Sequence, residues 1–198
     1  MKYILIFGFL IGSVAVFGQT ASTYNRTGID YYNQKDYVLA IKYFTKAIQL
    51  DPNYKTAYYN RGNAKLYLGQ YADAIKDYDK AIRFDSYDID AYEHRGYAKE
   101  SLGQYADAIK DYNKVIQLDP NNETAYINRG DAKESLGQHA DAIKDYNKAI
   151  QLDPNFKYPY NNRGSAKQNL GQYSDAIEDY NKAIQLDPNF INAYSNRG

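Results

Sequence analysis

Every 34 residues the sequence returns to itself, and that period constrains the fold more than composition does. Glu123–Phe156 (ETAYINRGDAKESLGQHADAIKDYNKAIQLDPNF) aligns without gaps to Ile89–Asn122, Lys55–Asp88 and Lys157–Phe190, and more loosely to Ala21–Tyr54. A sixth copy runs from Ile191 to Gly198. Such a period marks a stack of small units, none of which can bury its apolar face alone. Residues 19–198 are therefore expected to form one elongated array.

Each unit has the pattern of two helices. Tyr126, Arg129, Gly130, Lys133 and Leu136 share one face of the first; Ala142, Ile143, Tyr146, Ala149 and Ile150 form a cleaner apolar stripe on the second. Gly137 stands where a left-handed residue would close the first helix. Asp153-Pro154-Asn155 ends the second, because a proline disfavours helical backbone in the residue before it. Tyr126, Gly130, Gly137, Ala142, Tyr146, Ala149 and Pro154 fall on the aromatic, small and proline positions of the tetratricopeptide repeat (TPR) family, which the sequence resembles over Ala21–Phe190. The resemblance implies an all-α fold, a right-handed α-solenoid of antiparallel helix pairs. Where the family usually has Leu and a second Tyr in the first helix, this unit has Arg129 and Lys133.

Those two positions belong to a recurring charge pattern. Arg61/Lys65, Arg95/Lys99, Arg129/Lys133 and Arg163/Lys167 accompany Asp73/Asp77, Asp107/Asp111, Asp141/Asp145 and Asp175/Asp179. In an antiparallel hairpin this spacing predicts Arg129–Asp145 and Lys133–Asp141 pairs, with the arginine reaching the adjacent unit as the alternative. Gly28, Gly62, Gly96, Gly130, Gly164 and Gly198 fall inside predicted first helices, where each costs about 1 kcal/mol relative to Ala. Close approach to Ala40, Ala74, Ala108, Ala142 and Ala176 is expected to offset that cost. Lys35 replaces the turn glycine in the first unit, and Ser86 replaces the proline in the second, predicting a strained turn and a less sharply fixed boundary.

Met1–Gly18 differs from everything after it. Lys2 precedes the uncharged run Tyr3–Gly18, and Val16-Phe17-Gly18 offers a small-residue cleavage site, the build of a secretory signal peptide. An exported protein, periplasmic or secreted, is expected; if uncleaved, the segment would tether the array to a membrane. Formal net charge is zero, so no basic stripe points to nucleic acid. The absence of cysteine excludes disulfides, thiolate metal sites and cysteine nucleophiles. No paired-histidine metal spacing, phosphate loop or nucleophile elbow occurs, so no cofactor and no enzymatic activity are expected. His139 occupies a slot that is Tyr37, Tyr71, Tyr105 and Tyr173 elsewhere, and reads as a packing substitution.

Function is expected to lie in what varies, with drift on a solvated face as the alternative reading. Ala98–Asn121 and Ala132–Asn155 differ only at Tyr105/His139 and Val115/Ala149, yet the second, fifth and ninth positions of the units change freely. With the twelfth, these lie on one face of the first helix. In the TPR family that face lines a concave groove for partner segments. The expected groove comprises Tyr59, Asn60, Asn63, Asp90, Glu93, His94, Tyr97, Glu100, Ile127, Asn128, Asp131, Glu134, Asn161 and Ser165. Its acidic centre favours a basic or hydrogen-bonding protein or peptide segment through steering and charge-assisted contacts. The carboxylate-clamp lysine of some family members is replaced by Tyr59 and Glu93, which makes capture of a C-terminal carboxylate unexpected. The sequence is also compatible with the recognition arm of a larger enzyme or sensor extending past Gly198.

Overall fold

Four glycines explain how four of the five complete helix pairs turn. Gly69, Gly103, Gly137 and Gly171 adopt φ of 70°, 72°, 72° and 74°, a left-handed region that disfavours a side chain. After Gly137, Gln138 donates its N–H back to the Lys133 carbonyl (2.9 Å) while Gly137 donates to that of Glu134 (2.9 Å). That pattern closes an α-helix and satisfies its last carbonyls. The first unit makes the same turn with Lys35 at φ 63°, so the expected strain, about 1 kcal/mol, is present there.

The computed structural model describes residues 20–198, which form eleven helices and, among the described residues, no strand. The segment read as a signal peptide lies outside them. The first helices of successive units are α1 (Ala21–Asn33), α3 (Lys55–Tyr67), α5 (Ile89–Ser101), α7 (Glu123–Ser135) and α9 (Lys157–Asn169). The second helices are α2 (Tyr37–Leu50), α4 (Tyr71–Phe84), α6 (Tyr105–Leu118), α8 (His139–Leu152) and α10 (Tyr173–Leu186), and α11 (Ile191–Arg197) follows. The array is an α-solenoid of helix pairs.

Aspartates, rather than prolines, set the boundary between units. Asp51, Asp85, Asp119, Asp153 and Asp187 leave helical geometry, and each carboxylate accepts the N–H two residues on at 2.9–3.0 Å. Asp85-Ser86-Tyr87 makes this turn like the rest, so Ser86 does not loosen its boundary as expected.

The helical glycines serve a different neighbour from the one expected. A Cβ on Gly130 would lie 2.6 Å from Cε1 of Tyr146, and one on Gly28, Gly62, Gly96 or Gly164 would strike Phe44, Tyr78, Tyr112 or Tyr180 at 2.5–2.8 Å. Glycine therefore makes room for a buried ring, not for Ala142 and its equivalents. Ala142 instead packs with Tyr146 and with Ala166 of the next unit, as Ala108 packs with Tyr112 and Ala132. Apolar clusters thus cross unit boundaries, and no unit is self-sufficient. Gly198 follows the last residue of α11 and meets only a backbone oxygen of Tyr194.

Curvature follows from which helices touch. Each first helix contacts the first helix of the next unit, whereas among the described residues no second helix reaches the next second helix. First helices therefore line the inner radius of the stack, and second helices its outer one.

A buried carboxylate ties each of the four later pairs together. Arg129 donates from Nε (2.9 Å) and Nη2 (2.5 Å) to Asp145, and Lys133 reaches the same carboxylate at 2.7 Å. Arg61 and Lys65 on Asp77, Arg95 and Lys99 on Asp111, and Arg163 and Lys167 on Asp179 repeat the arrangement. The expected Arg129–Asp145 pair is present, but Lys133 does not pair with Asp141. Asp141 lies exposed in the first turn of α8 and bonds Lys144 at 2.8 Å. Arg129 and Lys133, four residues apart on one helical face, instead converge on one carboxylate. The arginine also crosses the boundary, donating from Nη1 to Asn113 (2.5 Å), as Arg95 does to Asp79 (2.6 Å).

Asp145 is 3% exposed, so its loss would leave two cations beside a buried vacancy. Removing one partner of such a cluster costs roughly 3–5 kcal/mol, whereas an exposed pair is worth about 0–1 kcal/mol. Asp145→Ala is therefore expected to lower the urea midpoint sharply, and Asp141→Ala hardly at all. Equal losses would show that the shared carboxylate does not hold the pair.

Candidate functional site: the inner face of the first helices

The inner face alternates between side chains used to hold the stack and side chains left open. Asn60 donates to Asn25 of the preceding first helix (3.2 Å), and Asn196 donates to Asn161 (3.1 Å). Asn161 and Ile127 are only 7% and 8% exposed. Both were expected on the open groove; Ile127 is buried and lines none of the three clefts described below, whereas Asn161, although mostly buried, still lines one of them.

A second structural duty falls on the variable ninth and twelfth positions. The rings that fill the glycine notches carry buried hydroxyls, and a buried donor without an acceptor costs about 1–3 kcal/mol. Tyr78 donates to Asn63 (2.7 Å) and Tyr146 to Asp131 (2.7 Å), both ninth-position residues. Tyr112 donates to Glu100 (2.8 Å) and Tyr180 to Gln168 (2.8 Å), both twelfth-position residues. Each of these units supplies one acceptor from one turn or the next. In the first unit the ring is Phe44, which needs none, and the ninth residue is Ile29. Some of the variation on this face is therefore compensation within the fold.

What remains open gathers into three clefts. The largest, about 590 Å³, lies where units two, three and four meet, lined by Leu66, Tyr67, Tyr71, Glu93, His94, Tyr97 and Asn128. His94 is fixed within it: its Nδ1 lies 2.7 Å from the Asp90 carbonyl, and its ring stands edge-on to Tyr59 at 5.7 Å. A second cleft, about 230 Å³, includes Asp131, Glu134, Asn161, Asn162 and Ser165. A third, about 220 Å³, includes Ile29, Tyr32, Asn60 and Asn63. Asp90 lies exposed at the start of α5 and Tyr97 is half exposed.

The sequence pattern missed Tyr67 and Tyr71. Tyr67 occupies the thirteenth position, which reads Asn33, Tyr67, Ser101, Ser135, Asn169 and so varies like its neighbours. Tyr71 recurs as Tyr37, Tyr105 and Tyr173, and recurrence disguised it as scaffold. His139 is more than a packing substitution: its Nδ1 lies 2.6 Å from Oε1 of Glu134, which also accepts from Asn169 (2.7 Å).

The carboxylates of this face are partly withdrawn from water. Burial pushes the Glu93 carboxyl above its ordinary range, with His94 pulling the other way and Asp90 adding to the rise. Burial likewise raises Glu100, against the hydrogen bond from Tyr112, and Asp131, against those from Tyr146 and Asn162. None of the three forms an ion pair with Lys or Arg among the described residues. Nor is any group of three His, Asp or Glu side chains placed to hold a metal ion among those residues.

Comparisons with known proteins fit this geometry. The tetratricopeptide repeat model matches residues 21–54, 56–88, 124–156 and 158–190, and a further TPR repeat model matches 101–137. The uncharacterized protein MJ0572 of Methanocaldococcus jannaschii is 38% identical over 53 residues, spanning 27% of this chain and 62% of that relative's length. The crystal structure of MamA superimposes with a TM-score of 0.81 at 27% identity, over 86% of this chain and 93% of that one. YrrB, described as a TPR protein with an unusual peptide-binding site, superimposes with a TM-score of 0.79 at 22% identity, over 89% and 91%. That likeness is one of fold. With repeat-family matches covering most of the sequence and helix pairs in register with its period, the chain belongs to the tetratricopeptide repeat family.

Proposed function

We propose that this protein is an exported, non-enzymatic scaffold whose inner face binds an extended basic segment of a partner protein. The observation that carries this reading is a contrast between two sets of carboxylates. Asp77, Asp111, Asp145 and Asp179, buried between helices, each hold two cations. Glu93, Glu100 and Asp131, on the inner face, hold none, although burial raises all three. A partner bearing Lys or Arg would supply the missing charge where water is already partly excluded, and there a charge-assisted bond is worth most. The clefts run over successive first helices, which suits an extended chain better than a compact ligand. Because the groove is built on packed helices, little reordering opposes binding. Release after export rests on the Met1–Gly18 pattern; a mature N-terminus near Gln19, found by sequencing the protein recovered from its cells, would support it, and an intact Met1 would overturn cleavage in favour of the membrane tether.

Paired substitutions test the binding face. A fluorescent Lys-rich nonapeptide should bind with an affinity that falls as salt rises, and Asp90→Lys with Glu93→Lys should abolish binding. Asp73→Lys with Asp107→Lys, on the outer helices, should leave it nearly unchanged. Equal losses from both pairs would mean that only net charge matters, and the groove reading would fall.

The same carboxylates set a pH signature. A carboxyl with a raised folded-state pKa adds stability below its unfolded pKa and loses it as pH rises through the folded value. The combined variant Glu93→Gln, Glu100→Gln, Asp131→Asn keeps acceptors for Tyr112 and Tyr146. Its urea midpoint relative to the native chain should therefore climb as pH rises from about 4 toward 8. A flat difference would show that these groups are not desolvated.

A further inference from the structure

Within that peptide-binding reading, on which this inference rests, one cleft has the chemistry of a specific side-chain receptor. We propose that the cleft between α3, α5 and α7 receives a single arginine of the bound segment, with Glu93 taking the guanidinium charge and tyrosine rings covering its faces.

The protein's own arginines show what such a group requires. Arg61, Arg95, Arg129 and Arg163 each lie over the tyrosine one turn earlier, Tyr58, Tyr92, Tyr126 and Tyr160, at 5.3–5.6 Å from the ring centre. Each also donates through two nitrogens to a buried aspartate. The cleft of about 590 Å³ offers the same partners, a half-buried carboxylate on Glu93 and the rings of Tyr67, Tyr71 and Tyr97, but no Lys or Arg lines it.

One of these rings, Tyr67, is held before any ligand arrives. Tyr67 stacks on Tyr37 at 4.9 Å with 8° between planes, and Tyr32 meets it edge-on at 5.7 Å. Tyr67 nevertheless remains 63% exposed and Tyr97 51%, which leaves ring surface free for a cation. A wall already stacked in this way lowers the ordering cost of binding. A guanidinium suits this site better than an ammonium: it is planar, more weakly hydrated, stacks on aromatic faces and binds a carboxylate through two bonds. Asn128, contributed by the next unit, adds an amide to the lining of the cleft.

The test uses the Lys-rich nonapeptide with its central residue changed to arginine or to citrulline, measured by fluorescence anisotropy. The arginine peptide should bind about tenfold more tightly than either the lysine or the citrulline form. Glu93→Gln, a near-isosteric change in a carboxyl that burial already disfavours, should erase that preference while circular dichroism stays unchanged. Tyr97→Ala should weaken the arginine peptide more than the lysine one. Equal binding of the arginine and lysine peptides, or a preference that survives Glu93→Gln, would overturn the arginine cleft. The groove would still stand if Asp90→Lys with Glu93→Lys abolished binding. Failure of every basic peptide to bind would overturn the groove reading, and the cleft with it.

Discussion

One carboxylate between two helices organises most of this structure. In four of the five complete units an aspartate, 3–4% exposed, receives an arginine and a lysine from the facing helix. The same arginine reaches back to the preceding second helix, so the tie extends along the stack. Ion clusters of this kind are not in themselves a large source of stability, because desolvation offsets most of the attraction. Their geometry is exacting, however, and a helix pair that slid out of register would bury an unpaired charge. Apolar contacts across unit boundaries supply cohesion, while the ion clusters specify which helix faces which.

Using charge in the interior has a consequence for the inner face. Where the family has apolar residues in the first helix, this chain has Arg and Lys turned toward the second helix, so its cations are spent inside the array. The carboxylates of the inner face are left without them. Two neighbouring surfaces with similar numbers of acidic groups thus differ in kind, one internally neutralised and one open. The tyrosines sharpen the difference, since their buried hydroxyls take up Glu100 and Asp131 as acceptors while Glu93 stays unengaged. Glu93 is consequently the group on this face with the most to gain from an external cation.

Legibility varied from residue to residue for identifiable reasons. The turn glycines and Lys35 could be read correctly because positive φ is a local property of the backbone. The Arg129–Asp145 pair could be read because helical geometry places facing levels at a constant sum of residue numbers. Lys133 defeated the same arithmetic, since a long flexible side chain can reach a turn further and the buried carboxylate attracts it more strongly than a solvated one. Ile127 reads as open in the sequence because helical phase assigns a face but not the distance to the next helix. Tyr71 was hidden by its own recurrence, although a residue that repeats for packing can also line a cleft where its neighbours differ.

The sequence by itself determined the repeat, the helix pairs, their turns and their family, because these depend on periodicity and on backbone preferences acting over a few residues. Only the tertiary structure decided which carboxylates are neutralised, which variable positions serve as acceptors for buried tyrosines, and where the inner face opens into clefts. Those outcomes depend on distances between side chains from units 34 residues apart. Burial and charge pairing are properties of that assembled neighbourhood, and no single unit contains them.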